Sequence, residues 1–564
     1  MYKVELPFVL ATDTGADRWD TLRDQLPEEL RDACEAASFL KRYVLSLPTA
    51  EIGIPEFYAK PSRKLGLSED RNLIYPILEG LYVHVYSDPN GSRDNYIPIE
   101  PTTVVDVDRY MLEVEEKLLL WAEEIGRTVD VEQKRELLLS LLSTALNPPR
   151  STNGQQGKPR PIVLSAQEQE AIKYRVLRDK VGLGVLQPLL LDPYIEDISC
   201  SGIGPIFIEH KIFRSVQSSI IFPEYDDTDE FAVWLGEWIK RPVTVRNPLV
   251  DAVLPDGSRI NIVYGREISR RGSNFTIRKF SGTPTSILEL IEFGSLDYTI
   301  AAYLSLMLEE GMNLFVVGAT ASGKTTLLNA LTTFVRPDAK IVTIEDTPEV
   351  YVPQKNWIQE VSRPTNADKK GGEVGMFELL RTALRQRPDL IIVGEIRSVE
   401  AAVAFQAMQT GHAVMSTFHA STVEKLIQRL TGDPINIPKT YIDNLNLAVI
   451  QSAVRLADGK PARRVLSVNE IIGYDPVSES FSFLEAFRWN PVTDRFEFPG
   501  FMNSYLLEQV IAIKRGLPPH NRKEIYNEVK RRARIFEKLH TEKEVREFQP
   551  FFQVLAEARR QKLF

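Results

Sequence analysis

Cysteine is almost missing from this chain, with Cys34 and Cys200 its only two. That excludes a disulfide framework and a four-cysteine zinc module, and it suits a reducing cytoplasm. Long apolar runs are missing too, since none approaches the length that spans a bilayer. Met1–Pro7 has no basic start followed by an apolar core. A soluble chain without a signal peptide is expected, any membrane role being peripheral. Charge of one sign is in short supply: the net value is −9 over 564 residues. This argues against a protein whose main task is coating nucleic acid, and no nucleic-acid partner is expected. There is no internal repeat and no Asn-Lys-x-Asp guanine reader.

What is present is ample apolar material, 43% of a chain long enough for about three or four domains. Residues 1–36 are acidic, nine Asp/Glu against four Lys/Arg, a composition that suits a solvated face or a docking arm for a basic partner. Leu81–Tyr86 reads as a strand, with a Pro-Asn-Gly-Ser turn at 89–92. Leu and Met at helical spacing predict a long helix from about Val107 to Ala145. Residues 147–161 are rich in breakers and nearly free of apolar side chains, giving a linker over 149–163 after an N-terminal region 1–148.

Ser165 and Glu168 then form a capping box that opens a helix running to about Lys180. From 185 to 280 strands dominate: Ile206–Glu209, Ser219–Phe222, Arg259–Val263 and Phe275–Arg278, with a tight turn at Pro255–Ser258. An α+β domain over 164–280 and a hinge at 281–285 follow from this pattern. From 286 to 490 strands and helices alternate, as in a mostly parallel sheet covered by helices. The last 51 residues read as helical and carry 14 Lys/Arg against seven Asp/Glu, so 491–564 is set apart as a basic helical extension. Its cluster Lys530, Arg531, Arg532 and Arg534, with Lys523 and Lys538 nearby, is either a solubilising face or a contact for anionic lipid or an acidic partner.

The strongest chemical signal is Gly318, Ala319, Thr320, Ala321, Ser322, Gly323, Lys324, Thr325 and Thr326, preceded by the apolar Leu314–Val317. Strand, glycine-rich loop and helix start make a P-loop. Its backbone N–H groups cradle phosphates, Lys324 reaches the β- and γ-phosphates, and the Thr325 hydroxyl ligates Mg²⁺. A second apolar strand, Ala339–Ile344, ends in Glu345, Asp346 and Glu349, acids placed to orient and deprotonate a water. A third, Leu390–Val393, ends in Gly394 and Glu395, where a carboxylate holds the water shell of Mg²⁺. His412 and His419 bracket the short apolar Ala413–Met415 stretch, as donors to a γ-phosphate or a carboxylate, with zinc the weaker alternative.

The order GATASGKTT, TIEDTPE, LIIVGEIR, TGH…STFHA resembles the type II/type IV secretion ATPase superfamily, with its Walker A loop, Asp box, atypical Walker B and His box. Asp192–Asp197, Leu254–Ile260 and Phe275–Phe280 are similar to the domain that precedes the motor in that family, and the likeness covers roughly residues 165–480. Asn356–Gln359 and Leu430–Pro438 resemble the archaeal branch, which includes the archaellum motor and archaeal type IV pilus assembly ATPases. Conjugation and tight-adherence ATPases, which also lack the four-cysteine module, remain competitors. The resemblance implies a RecA-like P-loop motor domain after an α+β domain, with a further helical and strand region in front. It implies a cytoplasmic homo-hexamer using ATP and Mg²⁺, peripheral at the inner face of the cell membrane. A polytopic membrane platform and a pilin-like filament are the implied partners. Within the site, Glu349 becomes the general base, Glu395 the support for Mg²⁺, and His412 and His419 sensors of phosphate state. Arg259 and Arg278 match arginines presented to the nucleotide from the preceding domain.

Overall fold

The computed structural model describes residues 2–11, 16–62, 65–66, 70–89, 91–128, 130–146, 164–280, 284–363 and 374–561. The linker expected over 149–163, Asn90 of the expected turn and residues 281–283 of the expected hinge lie outside them. The chain divides into two compact units, Met1–Ser281 and Gly282–Phe564.

The first unit contains the strands Lys3–Val4 (β1), Glu56–Phe57 (β2), Asn72–Pro76 (β3), Tyr82–Tyr86 (β4), Asn95–Ile99 (β5), Ile195–Cys200 (β6), Gly204–His210 (β7), Arg214–Phe222 (β8), Leu249–Val253 (β9), Arg259–Val263 (β10) and Asn274–Arg278 (β11). They form one sheet in the order β2-β3-β4-β5-β8-β7-β6-β11-β10-β9, with β1 beside β8. The expected strands are all there, and the Pro255–Ser258 turn joins β9 to β10 with Gly257 at φ +87°. The capping box also forms: Ser165 Oγ accepts the Glu168 N–H at 3.2 Å and heads the helix Ala166–Lys180. The long helix expected from Val107 to Ala145 is instead broken. Asp108–Leu118 and Val131–Leu146 are separated by a 3₁₀ turn, the short helix Ala122–Arg127 and an extended Thr128. Folding back lets Val114 and Leu118 meet Leu138, Leu142 and Leu146 in a small core, which one straight helix would leave in water.

The second unit contains Leu314–Val317 (β12), Ile341–Glu345 (β13), Trp357–Val361 (β14), Leu390–Ile396 (β15), Ala413–Phe418 (β16), Leu447–Arg455 (β17), Pro461–Asp475 (β18), Ser480–Asn490 (β19) and Arg495–Glu497 (β20). The order is β14-β13-β15-β16-β12-β17-β18-β19-β20. Pairing is parallel from β14 to β17 and antiparallel beyond. A parallel sheet with the P-loop strand between β16 and β17 and helices on both faces is the RecA-like arrangement. The inner strands β12 and β13 are buried on both sides, which is why they read as unbroken apolar runs. No described helix is long and apolar enough to cross a membrane.

Residues beyond 490 belong to the core of this unit. Leu506, Leu507, Tyr526, Val529, Phe536, Phe551 and Leu555 are buried with Leu314, Val316, Leu327 and Leu331 of the P-loop strand and helix. The C-terminal basic cluster is accordingly divided. Arg532 is 1% exposed, its Nη1 2.8 Å from Glu309 and its Nε 2.9 Å from Glu528. It is an internal ion-pair partner and cannot serve as a docking residue. Lys530, Arg531, Arg534 and Lys538 line a shallow cleft on the outside of the same helix, Ile525–Thr541.

Candidate nucleotide site

The phosphate loop leaves β12 between two parallel neighbours, and its conformation depends on glycine at two places. A Cβ at Gly318 would stand 2.2 Å from the Gln451 carbonyl oxygen of β17, so only glycine lets the loop turn there. Gly323 is left-handed at φ +93° and caps the helix Lys324–Thr332. Ala321 is also left-handed, at φ +60°. Lys324 is buried, and its Nζ donates to the Ala319 carbonyl at 2.9 Å. Burial lowers its pKa, while the charges of Glu395 and Glu349 act in the opposite direction.

Thr325 Oγ1 donates to Glu349 Oε2 at 3.3 Å, joining the start of the P-loop helix to the loop after β13. One turn further on, Asn329 holds that loop at both ends. Its Nδ2 donates to the Glu349 carbonyl at 3.0 Å, and its Oδ1 accepts the Tyr351 N–H at 3.0 Å. The i, i+4 spacing of Thr325 and Asn329 puts both on one helix face, a signal available in the sequence but passed over.

Glu345 does something different from Glu349. It is 2% exposed, and its Oε1 accepts the N–H groups of both Glu349 and Val350 at 2.8 Å. A side chain spent on two backbone donors fixes the loop that aims Glu349. Burial pushes the Glu345 carboxyl up to about 7, against the pull of those two N–H groups. Above its unfolded value and up to about pH 7 the native state therefore binds the extra proton, so the contribution of this group to stability falls as pH rises through that window. The melting temperature of the nucleotide-free protein, relative to Glu345→Gln, is expected to fall from about pH 4.5 to about pH 7 and to level off above. A pH-independent difference would show that Glu345 is ionised throughout.

A bulge in β15 between Val393 and Glu395 turns Glu395 toward the same place. Gly394 sits at the bulge because a Cβ there would come within 3.0 Å of Glu345 Cγ. Glu395 Oε1 is 2.5 Å from His419 Nε2, and Oε2 accepts from Arg397 Nη2 at 2.5 Å. Burial, then the Lys324 charge, lowers the His419 pKa, with Glu395 opposing. His419 is thus favoured as a neutral ring, with one N–H to offer to a neighbouring acceptor.

The two histidines part company here. His419 follows the C-terminal end of β16 beside the P-loop, whereas His412 precedes its other end and faces Thr410 Oγ1 at 3.1 Å. Seven residue steps along a strand separate them by about 20 Å, so His412 is not part of this chain's own phosphate site. Arg259 and Arg278 are in the first unit, as directly opposed partners on β10 and β11 that share one sheet face. Arg259 Nη2 is 3.9 Å from Asp251, and Arg278 is opposite Asp197 on β6.

The loop, Lys324, and an oxygen set of Thr325, Glu349 and Glu395 fit a nucleotide phosphate with Mg²⁺, a hard cation that prefers oxygen donors. Residues 183–548 match the family described as Type II/IV secretion system protein. The uncharacterized protein MJ0900 of Methanocaldococcus jannaschii is 42% identical over 521 residues, 91% of this chain and 93% of that one. The uncharacterized protein MJ1287 of the same organism is 44% identical over 252 residues, 44% of this chain and 90% of that one. The Type IV secretion system protein VirB11 of Bartonella quintana is 29% identical over 242 residues, 37% of this chain and 67% of that one. With the family match covering well over half its length, the chain belongs to the Type II/IV secretion system protein family.

Proposed function

We propose that this chain is a Mg-ATP-hydrolysing motor of the archaeal branch of its family, working as a homo-hexamer. The observation that carries the reading is the convergence of Thr325, Glu349, Glu395 and His419 on the mouth of the P-loop, with Lys324 between the two carboxylates electrostatically. The loop N–H groups and Lys324 hold the phosphates. Glu349 orients a water and takes its proton as the oxygen attacks the γ-phosphorus, whose bond to the β,γ-bridging oxygen breaks so that ADP and phosphate are released. Mg²⁺, held by Thr325 with support from Glu395, supplies positive charge to the phosphate oxygens when bound. His419, in contact with Glu395, reports on the phosphate state. Arg259 and Arg278 close over the γ-phosphate of a neighbouring copy and stabilise charge in the transition state.

The mechanical output is the building of a type IV pilus-like filament or the driving of an archaellum, through a polytopic membrane platform. The similarity to proteins of M. jannaschii supports the archaeal branch over conjugation machines. The outward cations Lys530, Arg531, Arg534 and Lys538 are the proposed peripheral contact with anionic lipid, and sedimentation with anionic vesicles that is unchanged when these four are replaced by alanine would remove it. A nucleotide-gated scaffold with negligible turnover is the alternative, disfavoured because every acid of the site is in place. The assembly is tested by mass in solution with a non-hydrolysable ATP analogue and Mg²⁺. Six copies are expected, with specific activity rising as the ring forms. Full turnover by a monomer at every concentration would contradict the shared site.

A further inference from the structure

The wall of the P-loop opposite Glu395 and His419 is built by β17 and β18, and an arginine stands there that none of the family's boxes contains. Arg463 Nε donates to the Ala321 carbonyl at 3.2 Å. Its Cδ packs 3.2 Å from where a Cβ on Gly323 would be, so its stem lies along the last turn of the loop. Among the described residues no carboxylate pairs with it, in contrast to its neighbour Arg464. Arg464 points to the other face of the strand, is 4% exposed, and holds Asp494 with two bonds at 2.8 and 2.9 Å. The exposed arginine therefore spends its hydrogen bond on the loop.

The peptide it holds is a strained one. Ala321 is left-handed without being glycine, a conformation that persists only where the surroundings hold it. Fixing the Ala321 carbonyl fixes the orientation of the peptide to Ser322, whose N–H closes the turn of the loop onto the Ala319 carbonyl at 3.3 Å. Beneath Arg463, Gln451 is 2% exposed, and its Nε2 donates to Ser295 Oγ at 3.2 Å. Among the described residues its Oε1 has no hydrogen-bond partner. Arg464 Nη1 donates to the Phe293 carbonyl at 2.9 Å. The turn at 293–295 closes Ile287–Glu292, the first helix of the second unit, so the arginine pair and Gln451 link that turn to the phosphate loop.

We infer that Arg463 is a positioning residue for nucleotide binding, holding the Ala321 peptide and with it the turned shape of the phosphate loop. The inference rests on the reading of this loop as a nucleotide site. Loss of the contact acts on affinity first, because Glu349 stands in the loop after β13 and Glu395 on β15, away from β18.

The test uses the full-length protein and two variants, Arg463→Ala and Arg463→Lys. It measures ADP affinity by titration calorimetry, the KM and kcat for Mg-ATP, and the melting temperature without nucleotide. Arg463→Ala is expected to weaken ADP binding and raise KM about tenfold, with kcat within about threefold of wild type and the melting temperature unchanged. Arg463→Lys, which keeps a donor on a flexible stem, is expected to recover part of the affinity. Wild-type affinity in the alanine variant would overturn the inference while leaving the nucleotide reading intact. A loss of affinity accompanied by a matching fall in melting temperature, with no recovery in the lysine variant, would also overturn it, because a purely structural residue behaves that way. Failure of the wild type itself to bind ADP would remove the nucleotide reading and this inference together.

Discussion

Replacing Glu349 by glutamine is expected to cut ATP hydrolysis at least about a hundredfold while nucleotide binding stays near wild type. The amide has the shape of the carboxylate and still accepts from Thr325 Oγ1, so the loop after β13 keeps its place. What it cannot do is take a proton from water. Binding rests on groups the substitution leaves alone, the loop N–H groups and Lys324. The neighbouring Glu345 is the informative control. It is buried, and its Oε1 is committed to the N–H groups of Glu349 and Val350, so it anchors the loop that carries Glu349. Glutamine at 345 keeps an oxygen for those two donors and is expected to retain most of the activity. Turnover that survives Glu349→Gln but dies with Glu345→Gln would reverse the two roles.

Lys324→Ala is expected to abolish both binding and turnover, weakening ADP at least about a hundredfold by calorimetry. The ammonium is the one cation that the P-loop itself brings to the phosphates, and it is mostly withdrawn from water, where a charge-assisted bond is worth most. The lysine donates to the Ala319 carbonyl, and the charges of Glu395 and Glu349 favour its ionised form. Its removal also leaves those two carboxylates facing one another across the site, a further penalty on bringing in a polyanion. Near-normal ADP binding by this variant would mean that the phosphates sit elsewhere than the P-loop.

The parts of this site that were legible in the sequence are those where local chemistry and fold coincide. Leu314–Val317 is apolar because both faces of β12 are covered, and Gly318 and Gly323 are glycine because of a carbonyl 2.2 Å away and a φ of +93°. Glu345 and Glu395 stand at the ends of β13 and β15 and Glu349 in the loop that follows β13, the edge of a parallel sheet where polar groups gather around a ligand. Geometry across strands was not legible. His412 and His419 look equivalent when counted along the chain, yet a strand rises about 3.3 Å per residue and carries them to opposite ends of the sheet. Arg463 carries no signal at all, since its meaning comes from β18 lying two strands from β12. The C-terminal residues misled in another way. Their charge suggested a solvated extension, while Tyr526, Val529, Phe536, Phe551 and Leu555 give each helix a buried face that closes the core behind the P-loop. Arg532, counted among the surface cations from sequence, is the ionic filling of that interface.

Whether this site turns ATP over is tested most directly by steady-state phosphate release from the full-length chain, with ATP present and Mg²⁺ either in excess or removed by chelation. Release is expected to depend on Mg²⁺ and to be lost in Glu349→Gln. Release no higher with Mg²⁺ than without it, from a protein that still binds ATP, would contradict a motor and leave the nucleotide-gated scaffold.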